Sequence, residues 1–133
     1  MNISSLIREI EDIISKRCTQ EHFVTYPEVY IIINEDMENT YGYEEIDSWR
    51  GSYDTPCIFT GNEHSSLGLL KELYFAQSEN YFNGYKGGLF AYRPHTEIVI
   101  DHGYGTYSGD GEIDRVEWNS ADRAIEIYYT LEK

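Results

Sequence analysis

A stripe of isoleucine and leucine at the start of the chain constrains its fold more than any other feature. The apolar residues recur at helical spacing with charged residues between them: Ile3, Leu6, Ile7, Ile10, Ile13 and Ile14. This spacing predicts an amphipathic helix over residues 3–17. A single helix with such a stripe is not stable alone in water, so it must dock on a sheet or on another subunit. We expect residues 1–18 to take part in a homo-oligomer, and docking inside the chain is the alternative.

The rest of the chain shows short alternating or β-branched segments separated by glycine and turn residues. Residues 29–33 predict a strand, and the acidic residues 34–45 predict a solvated loop or hairpin end. Pro56 suits an edge strand or a bulge. Ser65 and Ser66 are candidate N-caps of a second helix over residues 66–79. Further strands are predicted at 45–53, 55–60, 89–92, 97–100, 112–118 and 124–131.

The order of these segments predicts the fold class. Two helices are separated by unequal groups of strands, without regular alternation of strand and helix. The chain has 133 residues, which is the size of one domain. We therefore predict a single α+β domain over residues 1–133, with the N-terminal amphipathic helix and a mainly antiparallel sheet on which the second helix packs.

The charge of the chain restricts its partners. There are 24 acidic and 10 basic residues, which gives a formal net charge of −14. Such a charge repels phosphate backbones and anionic lipids, so we expect no direct nucleic-acid or membrane binding. The sequence has no apolar stretch long enough to cross a bilayer and no signal-peptide pattern, so we expect a cytoplasmic protein. The two cysteines, Cys18 and Cys57, are expected to be free thiols.

Two of the scarce cations lie beside glycine and near aromatic residues. Arg50 lies in the segment 48–53 and Lys86 in the segment 82–88. Glycine lets backbone N–H groups approach a ligand, a cation binds phosphate or carboxylate, and an aromatic ring stacks on a base. The predicted ligand-binding residues are Arg50, Tyr53, Phe82, Tyr85, Lys86 and Gly87. The alternative is that these segments are ordinary turns, with Arg50 paired to a neighbouring aspartate and Tyr85 in the core.

No catalytic arrangement is evident in the sequence. The histidines are scattered, and none has the helical spacing of a metal-binding pair: His22, His64, His95 and His102. The pair Asp101-His102 is typical of a solvated turn, and residues 110–114 lack the ligand spacing of a calcium loop. We predict no catalytic residue, no metal and no cofactor, and hence a function based on binding.

Residues 45–107 resemble small proteins encoded by bacteriophages. The resemblance lies in a Ser-aromatic-Arg-Gly-x-Tyr motif at residues 48–53 and a Gly-Tyr-Lys-Gly-Gly motif at residues 84–88. Among characterised phage proteins of this size, the chain is similar to the anti-Thoeris sponges. That family binds cyclic ADP-ribose isomers made by host TIR-domain proteins, without degrading them, in pockets at subunit interfaces.

This resemblance implies a helical N-terminal anchor, a β-rich core and an anti-defence function in the host cytoplasm. The expected function is sequestration of a nucleotide-derived immune signal without cleavage. In that case Arg50 and Lys86 hold phosphate, while Tyr53, Phe82 or Tyr85 stacks on a base.

The acidic character supports an alternative function. A strongly acidic protein can present carboxylates in place of DNA phosphates and so inhibit a restriction or CRISPR effector, which makes a host defence protein the alternative partner. Two acidic groups are candidates for this surface: Glu35, Asp36, Glu38, Glu44, Glu45 and Asp47, and Asp110, Glu112, Asp114 and Glu117. A solvated antiparallel sheet shows a similar pattern of acids.

Overall fold

Two helices and ten strands are present in the residues that the computed structural model describes, which are 1–49, 52–78, 81–83, 89–101 and 111–131. Helix α1 spans Ile3–Arg17 and helix α2 spans Ser66–Gln77. The strands are β1 (Thr19–Gln20), β2 (Phe23–Val24), β3 (Glu28–Ile33), β4 (Thr40–Trp49), β5 (Ser52–Gly61), β6 (Tyr81–Asn83), β7 (Leu89–Ala91), β8 (Val99–Asp101), β9 (Glu112–Asn119) and β10 (Ala124–Thr130).

One mixed sheet of six strands dominates the fold, in the order β8-β5-β4-β3-β10-β9. Its neighbouring strands are antiparallel except for the pairs β10–β3 and β5–β8. The pairs β1–β2 and β6–β7 form two separate antiparallel hairpins. The predicted α+β class, with a mainly antiparallel sheet and a second helix, is therefore confirmed.

The isoleucine stripe of α1 is buried within the chain itself. The helix begins at Asn2, whose side chain accepts a 2.7 Å hydrogen bond from the Ser5 N–H, as an N-cap does. The stripe residues Ile3, Leu6, Ile7, Ile10 and Ile14 all lie in the core. Docking inside the chain, the alternative considered above, therefore accounts for the stripe, and homo-oligomer formation through residues 1–18 stays a prediction.

Both helices cover the same face of the sheet. The core joins α1 and α2 to residues that are partners across neighbouring strands, such as Ile31 with Ile127 and Ile46 with Ile58. Leu69 and Leu73 of α2 are fully buried in the same cluster. The predicted N-cap is also found, since the Ser65 hydroxyl accepts a 3.0 Å bond from the Gly68 N–H.

The predicted loop over residues 34–45 is wrong in its second half, where the structure has a strand. Asn34 and Glu35 have left-handed backbone angles in a turn, but β4 already begins at Thr40. The register of β4 against β5 shifts between Tyr43 and Ile46, so that two consecutive glutamates are exposed there. This bulge breaks the alternation by which strands are recognised, and the acidic strand therefore looks like a loop.

Pro56 lies beside another irregularity of the same strand pair. It is opposite Ser48, where the register shifts, and pairing of β5 with β8 begins one residue later at Cys57. Of the two predicted placements the bulge is the correct one, because β5 is flanked by strands on both sides.

Replacement of Gly42 by alanine tests this part of the sheet. An added Cβ would lie 2.3 Å from the backbone oxygen of Glu63, which accepts a 2.8 Å bond from the Tyr43 N–H. Because a backbone atom must then move, we expect Gly42→Ala to lower the free energy of unfolding by about 1–3 kcal/mol. Urea denaturation measures the loss. The control is Glu44→Ala, which changes an exposed residue of the same strand and should alter the free energy of unfolding by no more than about 0.5 kcal/mol. Equal stability of the two variants would contradict the close packing at Gly42.

Candidate functional site

The face of the sheet that the helices do not cover carries the acidic residues of β3, β9 and β10. We call the set Glu28, Glu35, Glu117, Asp122 and Glu126 the acidic face. Glu117 and Glu126 are direct partners across β9 and β10, and Glu126 is also opposite Tyr30 on β3. Side chains alternate along each strand, so burial of Ile125 and Ile127 on the helix side turns Glu126 towards the other side. The same hydrophobic pattern that builds the core therefore collects the carboxylates.

Arg115 joins the two acidic groups that the sequence presented separately. Its guanidinium donates to Glu35 at 2.6 Å and to Glu117 at 2.9 Å, and lies 4.0 Å from the centre of the Tyr128 ring. The hydrogen bonds to the two glutamates raise the pKa of Arg115. One positive charge thus holds the turn before β4 against β9, and the two carboxylates keep a net negative charge at this place.

Glu126 is the buried member of the acidic face, with only 8% of its surface exposed. One carboxylate oxygen accepts a 2.9 Å bond from the Tyr128 hydroxyl, and the other accepts a 3.2 Å bond from the Asn119 amide. These donors satisfy the hydrogen-bonding need of the buried carboxylate. They offset the repulsion between Glu126 and its direct cross-strand partner Glu117. Asn119 also holds the following turn, because it accepts a 3.1 Å bond from the Asp122 N–H.

A groove of about 540 Å³ lies beside these residues. Tyr30 and Met37 provide apolar surface, and the Tyr30 hydroxyl donates a short hydrogen bond to Glu28. Carboxylates beside an aromatic ring suit the ammonium or guanidinium group of a lysine or arginine side chain. The other groove residues are Glu28, Thr40, Asn119, Asp122, Arg123, Ala124 and Glu126.

Most of the predicted ligand-binding residues fall outside the described part of the chain. This holds for Arg50, Tyr85, Lys86 and Gly87. Tyr53 lies on β5 and Phe82 on β6, where Phe82 pairs with Phe90, but their side chains are also outside the description. The structure therefore leaves the predicted cation site as a prediction.

The backbone does bring the strands beside the two motifs together. Trp49 pairs with Ser52 at the end of the β4–β5 hairpin, and Asn83 pairs with Leu89 in the β6–β7 hairpin. The two hairpins are in contact, β6 with β4 and β7 with β5.

Glu126 of the acidic face and its neighbours Arg115 and Asn119 were not predicted from the sequence. Arg115 is a lone cation among the acids of β9, and this contrast is the one signal that marks it. Asn119 and Glu126 carry no such signal, because their roles depend on the pairing of β9 with β10. Of the predicted acids, Asp110 lies outside the described residues, and Glu44 and Glu45 are exposed on β4.

Both predicted free cysteines are buried thiols. Burial, and to a smaller extent the carboxylate of Asp101, raises the pKa of Cys57 strongly. Burial also raises the pKa of Cys18.

Comparison of the chain with protein-family models, curated proteins and solved structures finds no match. Neither α1 nor α2 has the length and apolar character that crossing a bilayer requires. Within the described ranges, no three His, Cys, Asp or Glu side chains are grouped so that they would hold a metal ion.

The Tyr128 hydroxyl reports on the charge of Glu126. Burial, followed by the hydrogen bond to Glu126, raises the pKa of Tyr128 to about 12. The folded chain holds this proton more tightly than the unfolded chain, in which the pKa is about 10. The resulting stability is complete below pH of about 10 and is lost as the pH rises through about 12.

Glu126→Gln should therefore lower the pKa of Tyr128 towards its ordinary value, as measured by phenolate absorbance against a Tyr128→Phe reference. Glu112→Gln, at the far end of β9, is the matched control and should leave the pKa in place. An unchanged pKa in Glu126→Gln would show that this carboxylate does not act on Tyr128.

Proposed function

We propose that this protein acts by binding, and that its acidic face engages a cationic surface of a partner protein. The partner surface would be one that otherwise holds DNA or RNA phosphates, as in a restriction or CRISPR effector. The observation that carries the proposal is the junction at Arg115, which sets Glu35 and Glu117 side by side next to Glu126. If the chain is encoded by a phage, it would act in the host cytoplasm.

The negative charge of the chain, and its concentration on the acidic face, support this proposal. The whole chain has a formal net charge of −14, so its field attracts a basic surface from a distance and speeds the encounter. On the acidic face, Arg115 is already shared by two carboxylates, and its charge does not balance the remaining ones. A basic partner supplies the missing positive charge, and the groove beside Tyr30 offers room for a protruding lysine or arginine side chain.

Neutralising two members of the acidic face tests this proposal. We expect Glu35→Gln/Glu117→Gln to weaken binding to a cognate effector about tenfold, because two attractive charges are lost. The affinity of the unchanged protein should also fall when salt is raised from about 50 to about 200 mM. Binding is measured by anisotropy of the labelled chain over a panel of restriction and CRISPR effectors, with duplex DNA as competitor.

The matched control is Glu9→Gln/Glu21→Gln, which removes the same charge from exposed positions elsewhere. This variant should bind as the unchanged protein does. Equal loss in both double variants would show that only the total charge matters, and absence of competition with DNA would contradict the proposed mode of binding.

A second candidate function is retention of a nucleotide-derived immune signal. The contact between the β4–β5 and β6–β7 hairpins favours it, because these hairpins carry the strands next to both cation motifs. In this proposal Arg50 and Lys86 hold phosphate and an aromatic ring stacks on the base. In such a pocket two nearby cations attract a small anion, whereas a long polyanion also contacts the acidic surface that repels it.

Retention is tested with lysate from cells whose TIR-domain proteins are active. We expect mass spectrometry to detect an intact nucleotide released by heat from the protein, and none from Arg50→Ala. Arg8→Ala, which changes an exposed arginine of α1, should retain the nucleotide. Retention by Arg50→Ala at the level of the unchanged protein would exclude this pocket.

A further inference from the structure

A second groove, which is lined by two arginines, lies where α1 ends. It has a volume of about 280 Å³ and is formed by the last turn of α1, the β1–β2 hairpin and the turn before β10. Its lining includes Arg17, Thr19, Gln20, Phe23, Thr25 and Arg123.

Two arginines of an acidic protein line this one groove. Elsewhere in the chain, Lys16 pairs with Asp12 at 3.1 Å and Arg115 pairs with two glutamates. Within the described part of the chain, neither Arg17 nor Arg123 has a carboxylate within salt-bridge distance. Like charges on one groove are stabilised by an anion between them, so this arrangement suits an anionic ligand.

Arg123 lines both this groove and the groove beside the acidic face, and its guanidinium lies on the helix side of the sheet. It is 5.7 Å from the centre of the Trp118 ring, and Trp118 packs against the core beneath α1. Its charge is also felt at the neighbour of Arg17, because Arg123 partly offsets the rise that burial causes in the pKa of Cys18. Arg123 therefore acts at the end of α1, next to Arg17.

The backbone of Arg123 is unusual for such a residue. Its φ angle is 50°, in the left-handed region that glycine adopts without cost and other residues adopt at about 1 kcal/mol or more. The fold therefore keeps an arginine where glycine would be more stable. This provides a variant that removes the guanidinium without weakening the fold.

The groove also contains an aromatic ring that has no role in the core. Phe23 is 78% exposed, on a hairpin of two-residue strands whose residues are all exposed. The hairpin is fixed to the end of α1 by a 2.8 Å bond from the Thr25 N–H to the Cys18 carbonyl and by a 3.0 Å bond from the Thr19 hydroxyl to the Ile14 carbonyl. An exposed ring held beside two cations is suited to stacking on the base of a phosphorylated ligand.

We propose that this groove binds a phosphorylated ligand of mononucleotide size, with Arg17 and Arg123 holding the phosphate and Phe23 stacking on the base. A planar guanidinium donates two parallel hydrogen bonds to phosphate oxygens, and Gln20 adds an amide beside them. The inference does not rest on the acidic face, and the groove is separate in sequence from the motifs that contain Arg50 and Lys86.

The test is isothermal titration of the full chain with AMP, with inorganic phosphate and adenosine as the two partial probes. We expect AMP to bind more tightly than either. Arg17→Ala and Arg123→Gly should each weaken AMP binding about tenfold, and Arg123→Gly should unfold at the same or a higher urea concentration than the unchanged protein. Phe23→Ala should weaken AMP binding and leave phosphate binding unchanged.

Arg8→Ala is the matched control, since it removes an exposed arginine from the same helix, and it should bind AMP normally. The inference would be overturned if AMP did not bind, or if Arg17→Ala and Arg123→Gly bound AMP as the unchanged protein does. It would also be overturned if phosphate bound as tightly as AMP. Loss of AMP binding in Arg50→Ala alone would overturn it too, because the ligand would then lie at the β4–β5 hairpin. Glu35→Gln/Glu117→Gln should leave AMP binding intact. Failure of the proposal for the acidic face can therefore be distinguished from failure of the proposal for this groove.

Discussion

Burial of α1 against one face of the six-stranded sheet is the interaction on which the rest of the structure depends. Five apolar side chains of the helix are buried, and each contributes up to about 1.5–3 kcal/mol. This sum is comparable to the whole net stability of a typical domain, about 5–15 kcal/mol, so the helix is not an accessory element. The start of the helix is also fixed to the loop before β8, where the Ile3 N–H donates to the Thr96 carbonyl at 3.0 Å.

This docking also decides where the charges lie. Because both helices occupy one face, the outward positions of β3, β9 and β10 belong to the other face, and there the sequence has glutamates, Tyr30 and Arg115. The end of α1 and the turn before β10 meet at the border of the sheet and leave two arginines on the helix side. The carboxylates and the pair of arginines therefore line two different grooves, which share Arg123, on a chain whose overall charge is negative. In our proposals, the first groove attracts a basic surface of a partner protein and the second binds a small anion.

Local patterns were enough to predict the elements that are regular and end with a clear signal. Helix α1, the Ser65 cap of α2, and strands β3 and β10 were predicted close to their bounds because period and capping agree there. The beginning of β4 was missed because a bulge interrupts its alternation, and Glu44 and Glu45 then resemble a loop. Here the pairing of β4 with β5 overrides the preference that the local sequence pattern indicates.

The candidate sites were harder to predict because they depend on pairings distant in sequence. The parallel contact of β10 with β3 brings Glu126 to Tyr30, and neither residue signals the other. Arg17 and Arg123 likewise come from opposite ends of the chain. Glycine-flanked cations can be recognised in a sequence, whereas cations that the fold brings together cannot.

The most direct test of this separation of charge is NMR of the amide-labelled protein with cationic and anionic nitroxides as cosolutes. The ratio of the two relaxation enhancements at each amide measures the local electrostatic potential. We expect the cationic probe to dominate at Glu117, Glu126 and the turn around Glu35, and the anionic probe to dominate around Arg17, Phe23 and Arg123. Dominance of the cationic probe at both places would contradict the account, because the surface would then be uniformly negative.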